Sequence, residues 1–253
     1  MTSYRPERNP LHVIAGTSLV LGVICGTSAL LISQCRPKYK PIFLHLIVLS
    51  IYHLNEFNST ARFQPTRVHS NSFLITGNKG NKEFLFMQFF AIFERLVSKS
   101  SMAYRFFDNA FQFKISKEIN WVALCLGLML AVSGLSIRFQ AMKTCGESFS
   151  HDIETINRNQ ELVTTGIYKY SRHPSYLGFW MFAAGCQVYL ENWIGLVLNI
   201  TILSVFFKKR IEFEEWFLVN RIFGDEYLQY RKRVGTWIPF VVVPDIESKD
   251  IQR

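Results

Sequence analysis

The residues best suited to chemistry lie in one polar stretch, Gly166-Ile-Tyr168-Lys-Tyr-Ser-Arg172-His173-Pro174-Ser175-Tyr176-Leu-Gly178. Arg172 offers a permanent cation and His173 a ring that titrates near neutrality. An apolar run follows at once, from Tyr176 through Leu190. Proline fits the first turn of a helix, where its missing N–H has no partner to lose. The stretch therefore reads as the mouth of a helix entering a membrane. Arg172 and His173 then sit beside free backbone N–H groups and the positive end of the helix dipole. Such a place suits an anionic ligand group. The alternative is that both residues are headgroup anchors, of the kind that flank membrane helices.

A second cluster follows the next apolar run. Lys208-Lys-Arg210-Ile-Glu-Phe-Glu214-Glu215 continues to Arg221 as an amphipathic helix. Arg210 and Glu214 are four apart and share a helical face. A solvated pair at that spacing contributes only about 0.3–0.5 kcal/mol. The tight link Glu191-Asn192 makes the two apolar runs a hairpin, however, and returns this pair to the membrane side of the Arg172–His173 mouth. The four residues thus form a constellation. No GxGxxG follows a strand pattern, so no Rossmann-type domain is expected. GxSxG, HExxH and Walker sequences are also absent. Any cofactor must be held by membrane helices and their connections.

The elements that position these groups are apolar segments approaching the ~20 residues needed to cross a bilayer. Spans are expected at 11–32, 41–57, 84–97, 121–142, 176–190 and 193–207, the third being short. The predicted fold is all-α: a polytopic membrane protein of about six helices, with a C-terminal amphipathic helix over a cofactor pocket at the cytosolic face. Residues 1–142 supply N-terminal membrane helices and 143–253 the catalytic region. Ala15, Gly16, Gly22, Gly26 and Ala29 should permit close contacts of the first helix. Glu56 is expected at a helix end in water, the bundle interior being the alternative. Glu94 and Arg95 lie either within the membrane or at the polar end of the third run.

Composition agrees. Of 253 residues, 49% are hydrophobic and 15% aromatic, and the net charge is +9. In a membrane protein that charge reads as cytosolic-side lysine and arginine, not nucleic-acid binding. With six spans and a cytosolic N-terminus, 19 lysines and arginines fall on the cytosolic side and 7 opposite. Both tails and the 143–174 loop are thus expected in the cytosol. The five cysteines are scattered without a CxxC, so neither a disulfide frame nor a metal site is indicated. The first apolar run is too long for a signal-peptide core and is expected to be a span in its own right.

Residues 144–240 resemble the isoprenylcysteine carboxyl methyltransferases. The resemblance is carried by Gly146-Glu-Ser-Phe-Ser-His151, Leu162-Val-Thr-Thr-Gly166-Ile-Tyr168, Ser171-Arg-His-Pro-Ser-Tyr-Leu-Gly178 and Arg210-Ile-Glu-Phe-Glu214-Glu215. It continues through Phe223-Gly-Asp-Glu-Tyr-Leu-Gln-Tyr-Arg-Lys-Arg-Val234 to Ile238-Pro-Phe240. Upstream, Arg8-Asn-Pro-Leu-His12 and Val68-His-Ser-Asn-Ser-Phe-Leu74 resemble the short fungal members. RHPxYxG by itself is shared with phospholipid methyltransferases and, more loosely, with membrane sterol reductases.

The resemblance implies methyl transfer from S-adenosylmethionine to the C-terminal carboxylate of a prenylated cysteine on CaaX-processed proteins, at the endoplasmic reticulum membrane. It implies a cofactor held at the cytosolic face by Gln160, Glu161, Leu162, Val163, Tyr168, His173, Pro174, Ser175, Tyr176 and Glu214. Gln160 stands where the family has histidine, so its backbone is the expected contact. Glu154 aligns with a further cofactor contact across a one-residue deletion. Arg210 falls on the family's substrate-contacting arginine, with Arg172 a weaker substrate candidate.

The chemistry asks little of the protein. A terminal carboxylate is already ionised and nucleophilic at neutral pH. The site must align it with the methyl group and exclude water. Two enzymatic rivals differ in demand. A phospholipid N-methyltransferase needs a proton acceptor, which Glu214 or Glu215 offers. An NADPH-dependent sterol reductase needs a cluster for the 2′-phosphate, which the sequence lacks. A non-enzymatic scaffold leaves the clustering of Arg172, His173, Arg210 and Glu214 without a reason.

Overall fold

The computed structural model describes residues 9–75, 82–100, 119–149 and 161–244. These residues are mostly helical and contain no strand. Seven α-helices run in order: α1 Leu11–Gln34, α2 Lys40–Phe63, α3 Lys82–Ser98, α4 Trp121–Cys145, α5 Pro174–Tyr189, α6 Trp193–Phe217 and α7 Asp225–Arg233. A π-helical turn, Leu218–Phe223, joins α6 to α7. α1 packs on α2, α2 on α4, α4 on α5 and α5 on α6, while α3 leans on α6.

The expected order of apolar segments is present, with longer helices than their apolar cores. By length and composition, Leu11–Gln34 and Trp121–Ser148 are suited to cross a membrane, with mean hydropathies of 1.9 and 2.0. α3 and α5, with 17 and 16 residues, are shorter than a full span. The outward faces are apolar: Leu19, Phe89, Val122 and Val197 are each about two-thirds exposed or more. Such a surface calls for a lipid environment or a partner.

Local chemistry sets the helix ends. Asn120 caps α4 through a hydrogen bond that its side chain accepts from Ala123 N at 3.1 Å. Pro174 opens α5 at its first position. The start of α6 is capped from another helix: the Glu94 carboxylate accepts from Ile194 N at 3.0 Å and Gly195 N at 2.7 Å. Beside it, Arg95 donates to Leu190 O and Glu191, both at 3.0 Å, and Lys99 reaches Glu191 at 2.9 Å. Glu94 and Arg95 are therefore the polar end of α3, clasping the α5–α6 turn.

Two sequence expectations change. Glu56 does not face water. It is fully buried and pairs with Arg138 at 2.5 and 2.9 Å. Arg138 in turn donates to the Ser175 hydroxyl at 2.7 Å, tying α2 and α4 to the first turn of α5. The glycine contacts also fall elsewhere. A Cβ added at Gly16, Gly22 or Gly26 meets nothing within 4 Å. The close approach lies between α4 and α5, where a Cβ on Gly178 would stand 2.5 Å from Gly134 O, and one on Gly134 2.5 Å from Gly178 O. The backbones are near enough there that only glycine fits.

Gly178→Ala is accordingly expected to cost about 3 kcal/mol or more, the upper end for overpacking. Gly22→Ala should leave stability unchanged. Thermal unfolding of the detergent-purified variants checks the contrast, and equal melting temperatures would refute the α4–α5 packing.

Candidate functional site

The site is built where the N-terminus of α5 meets the C-terminal half of α6. Glu215 lies at its base, fully buried. Its Oε1 accepts from Arg172 Nε at 2.7 Å and contacts His173 Nε2 at 3.0 Å, with the Tyr227 hydroxyl at 3.3 Å. Its Oε2 is 2.8 Å from Arg231 Nε. Burial pushes the Glu215 carboxyl up, but the hydrogen bond and charge of His173, with the Arg172 guanidinium, outweigh it and hold the pKa at about 2. Glu215 is thus ionised and held by cations, so it is poorly suited to accept a proton from an amine.

The anion expected at this helix mouth is therefore the protein's own. Arg172 also donates from Nη1 to Val234 O and to Arg231 O at 3.2 Å. It does not line the larger cavity described below. It borders the smaller cavity, and its bonds fasten the chain after α7 to α5. Arg172 N to Gly235 O at 2.9 Å, Ser171 Oγ to Thr236 O at 2.7 Å and Tyr230 OH to Tyr168 O at 2.7 Å complete the fastening.

Above this base, a chain of three groups crosses from α5 to α6. Arg210 Nε donates to the Tyr176 hydroxyl at 2.8 Å, which donates to Glu214 Oε2 at 2.7 Å. The Tyr176 ring lies parallel to His173 and to Phe207, with centroids 5.5 and 5.0 Å apart. Two cavities meet at this chain. The smaller, about 130 Å³, is lined by Glu161, Leu162, Val163, Tyr168, His173, Pro174, Ser175, Tyr176 and Glu214, with Leu218 and Phe223 of the π-helical turn. The larger, about 360 Å³ and mostly apolar, is lined by Arg210, by Arg138 of α4 and by α2, α3, α5 and α6 side chains. Phe149, Ser175 and Tyr176 border both.

The structure thus gathers most of the expected cofactor contacts around one cavity and sets Arg210 in the other. Gln160 and Glu154 lie outside the described residues, as do Ser150 and His151 of the first matching block. Sequence reasoning missed Arg231, Tyr227 and Tyr230, and gave Glu215 no structural part. Their signal was faint: α7 is nine residues and strongly polar, and nothing in its pattern says that Tyr227 and Tyr230 turn inward.

Comparison with known proteins fits this arrangement. The sequence profile of the Isoprenylcysteine carboxyl methyltransferase (ICMT) family matches residues 126–220. The protein-S-isoprenylcysteine O-methyltransferase of Saccharomyces cerevisiae is 40% identical over 237 residues, covering 93% of this chain and 94% of the relative. The chain belongs to the isoprenylcysteine carboxyl methyltransferase family. The Schizosaccharomyces pombe protein of the same name is 40% identical over 202 residues, covering 76% of this chain and 81% of the relative. The Mus musculus protein is 34% identical over 241 residues, covering 94% and 77%. Among solved structures, a eukaryotic intramembrane Ras methyltransferase, isoprenylcysteine carboxyl methyltransferase, superposes with a TM-score of 0.76 at 28% identity. That likeness covers 88% of this chain and 74% of the other. The family assignment makes the chain a methyltransferase that requires a methyl donor.

Glu215 gives a pH prediction. Its folded pKa is depressed, so its contribution to stability is complete above the unfolded value of 4.5 and is lost as pH falls toward about 2. The wild type should therefore lose thermal stability between those limits. Glu215→Gln should cost about 3–5 kcal/mol at neutral pH, because it leaves buried arginines unpaired, and should weaken the acid dependence. Melting curves from pH 7 to pH 3 check both. A Glu215→Gln variant as stable as wild type would refute the role.

Proposed function

We propose that this chain transfers a methyl group from S-adenosylmethionine to the C-terminal carboxylate of prenylated cysteine on CaaX-processed proteins. The proposal places it in the endoplasmic reticulum membrane with six membrane helices and both tails cytosolic. Residues 1–142 serve as scaffold and 143–253 as the catalytic region. The single observation that carries this reading is the Arg210–Tyr176–Glu214 chain, with a carboxylate-bearing cavity on one side and an arginine-bearing apolar cavity on the other.

The smaller cavity fits the cofactor by its chemistry. Glu161 and Glu214 suit an amino group or ribose hydroxyls, and the rings of Tyr168, Tyr176 and Tyr230 suit a positively charged sulfonium. When bound, S-adenosylmethionine supplies an electrophilic methyl group. Every other requirement falls to the protein. Arg210 binds the carboxylate of the acceptor as a planar cationic donor. Its Nε is fixed by Tyr176, so its orientation is set before substrate arrives. Glu214 holds the other side of Tyr176, so the acceptor and donor cavities keep one register. The apolar walls exclude water and favour a step in which opposite charges are neutralised. No base is required, and Glu215, fully engaged, offers none. The amine-methylating alternative would have to rely on Glu214, and Arg210 would repel a cationic headgroup.

Arg210→Lys keeps the charge and loses the planar fork. Turnover of a farnesylated cysteine should fall about tenfold or more, equivalent to ~1.4 kcal/mol of transition-state stabilisation, with S-adenosylhomocysteine affinity nearly unchanged. Glu214→Gln and Tyr176→Phe should weaken that affinity. Radiolabelled methyl transfer in membranes, with isothermal binding of S-adenosylhomocysteine, reads both quantities. Label entering phosphatidylethanolamine instead of farnesylcysteine would overturn the assignment.

Orientation is tested separately. A glycan-acceptor sequence placed after Lys249 should stay unmodified in cells. A glycosylated product there would place the C-tail in the lumen and reverse the topology.

A further inference from the structure

After α7 the chain turns back along the α5–α6 hairpin. It starts at the mouth of α5, where Arg172 Nη1 donates to Val234 O, Arg172 N to Gly235 O at 2.9 Å and Ser171 Oγ to Thr236 O at 2.7 Å. Further on, Ser204 Oγ of α6 donates to Pro239 O at 3.2 Å and accepts from Trp180 Nε1 of α5 at 3.2 Å. Trp180 stands four residues beyond Tyr176 and Ser204 six before Arg210. This contact therefore lies about 6–9 Å deeper in the hairpin than the Arg210–Tyr176 pair. The chain then reverses, with Val241 N donating to Ile238 O at 3.2 Å. It returns to Arg231 of α7, whose Nη2 donates to Val243 O at 3.2 Å and to Pro244 O. Both stems thus end on arginines that hold Glu215. On the inner side, Ile238 and Val241 pack with Trp180, Ala184, Phe207 and Ile211. On the outer side, Trp237, Phe240 and Val242 are 73%, 79% and 77% exposed.

We infer that residues 234–244 form a re-entrant loop whose outer face, Trp237, Phe240 and Val242, is seated in membrane lipid where acyl chains meet headgroups. This rests on the membrane placement proposed above. The tip lies beside Ser204, inside the apolar run 193–207 of α6, and the neighbouring Val205 is half-exposed, so one apolar surface continues from helix to loop. Irregular backbone at that depth needs partners inside the protein for its polar groups. It has them: the carbonyls of Val234, Gly235, Thr236, Ile238, Pro239, Val243 and Pro244 all accept hydrogen bonds. Trp237 and Phe240 hold φ of +59° and +63°, a backbone that bulky residues adopt only at a cost. Tryptophan favours the membrane boundary, and the exposed Lys232 and Arg233 at the end of α7 supply charge for the headgroups above it. Because its stems are fastened at Glu215, the loop fixes the depth of that carboxylate, and of the cavity above it, in the bilayer.

Tryptophan emission tests the seat. Wild type and Trp237→Phe are placed in nanodiscs of phosphatidylcholine whose chains carry bromine, a quencher, either near the headgroup or near the chain end. The difference between the two proteins isolates Trp237 from the other four tryptophans. Trp237 should lose most of its emission to bromine near the headgroup and less to bromine near the chain end. Emission unchanged by either lipid overturns the seat, whether it is red-shifted as in water or blue-shifted as under a second copy of the chain or another protein. If the remaining tryptophans are quenched in that case, the membrane placement stands and only the loop reading falls. If no tryptophan is quenched, both fall. A cooperative melt reports that each variant is folded. Should Trp237→Phe fail it, Phe240→Trp adds a reporter to the same face, and its added emission must show the same pattern of loss; added emission that bromine leaves unchanged overturns the seat equally.

Discussion

A carboxylate taken out of water costs several kcal/mol unless charge and hydrogen bonds replace its hydration. Glu215 is where this chain meets that constraint. Its two oxygens gather Arg172 and His173 from the mouth of α5 and Arg231 and Tyr227 from α7. α7 is one of the least apolar helices among the described residues, and it is seated by Arg231 and Tyr227 on the buried anion, by Tyr230 on Tyr168 O and by a small apolar cluster around Val219. The smaller cavity exists between these segments, so its walls depend on this one side chain.

Above Glu215, the polar groups are arranged for difference. Adjacent glutamates on α6 have separate tasks. Glu215 is held by cations, while Glu214 receives only a neutral phenol from Tyr176 among the contacts of the site. Arg210 is steered by the same phenol, its Nε donating to the Tyr176 hydroxyl. An arginine paired too tightly would oppose a step that consumes the carboxylate's charge. A neutral hydroxyl fixes its direction at less cost to its field.

The second buried ion pair, Glu56 with Arg138, supports this arrangement from below. Arg138 holds the Ser175 hydroxyl at the point where both cavities meet. The backbone contact of Gly134 with Gly178, one helical turn from Arg138 on α4, brings the helices close enough for that reach. On the opposite side, Glu94, Arg95 and Lys99 lock α3 to the α5–α6 turn. Polar groups therefore hold both ends of the α5–α6 hairpin, and apolar side chains form most of the cavity walls between them.

The sequence by itself determined the order and approximate extent of the helices, because apolar runs and prolines act locally. It also determined that Arg172, His173, Arg210 and Glu214 share one end of a hairpin, since a two-residue link leaves no other geometry. The residues Glu161 to Val163 could be tied to that end only through resemblance, as no local periodicity marks them. Tertiary structure decided the rest. That Arg172 meets a buried carboxylate depended on Glu215, whose facing is the same, by pattern, as that of any residue on a helix of mixed polarity. Whether Glu56 meets water depended on Arg138, 82 residues away. Which glycines matter depended on which backbones touch: those of α1 match the small-residue pattern and meet nothing, while those of α4 and α5 meet each other. Partners of buried charges and of close backbones are chosen across the chain, and a one-dimensional pattern carries only the side that each residue presents.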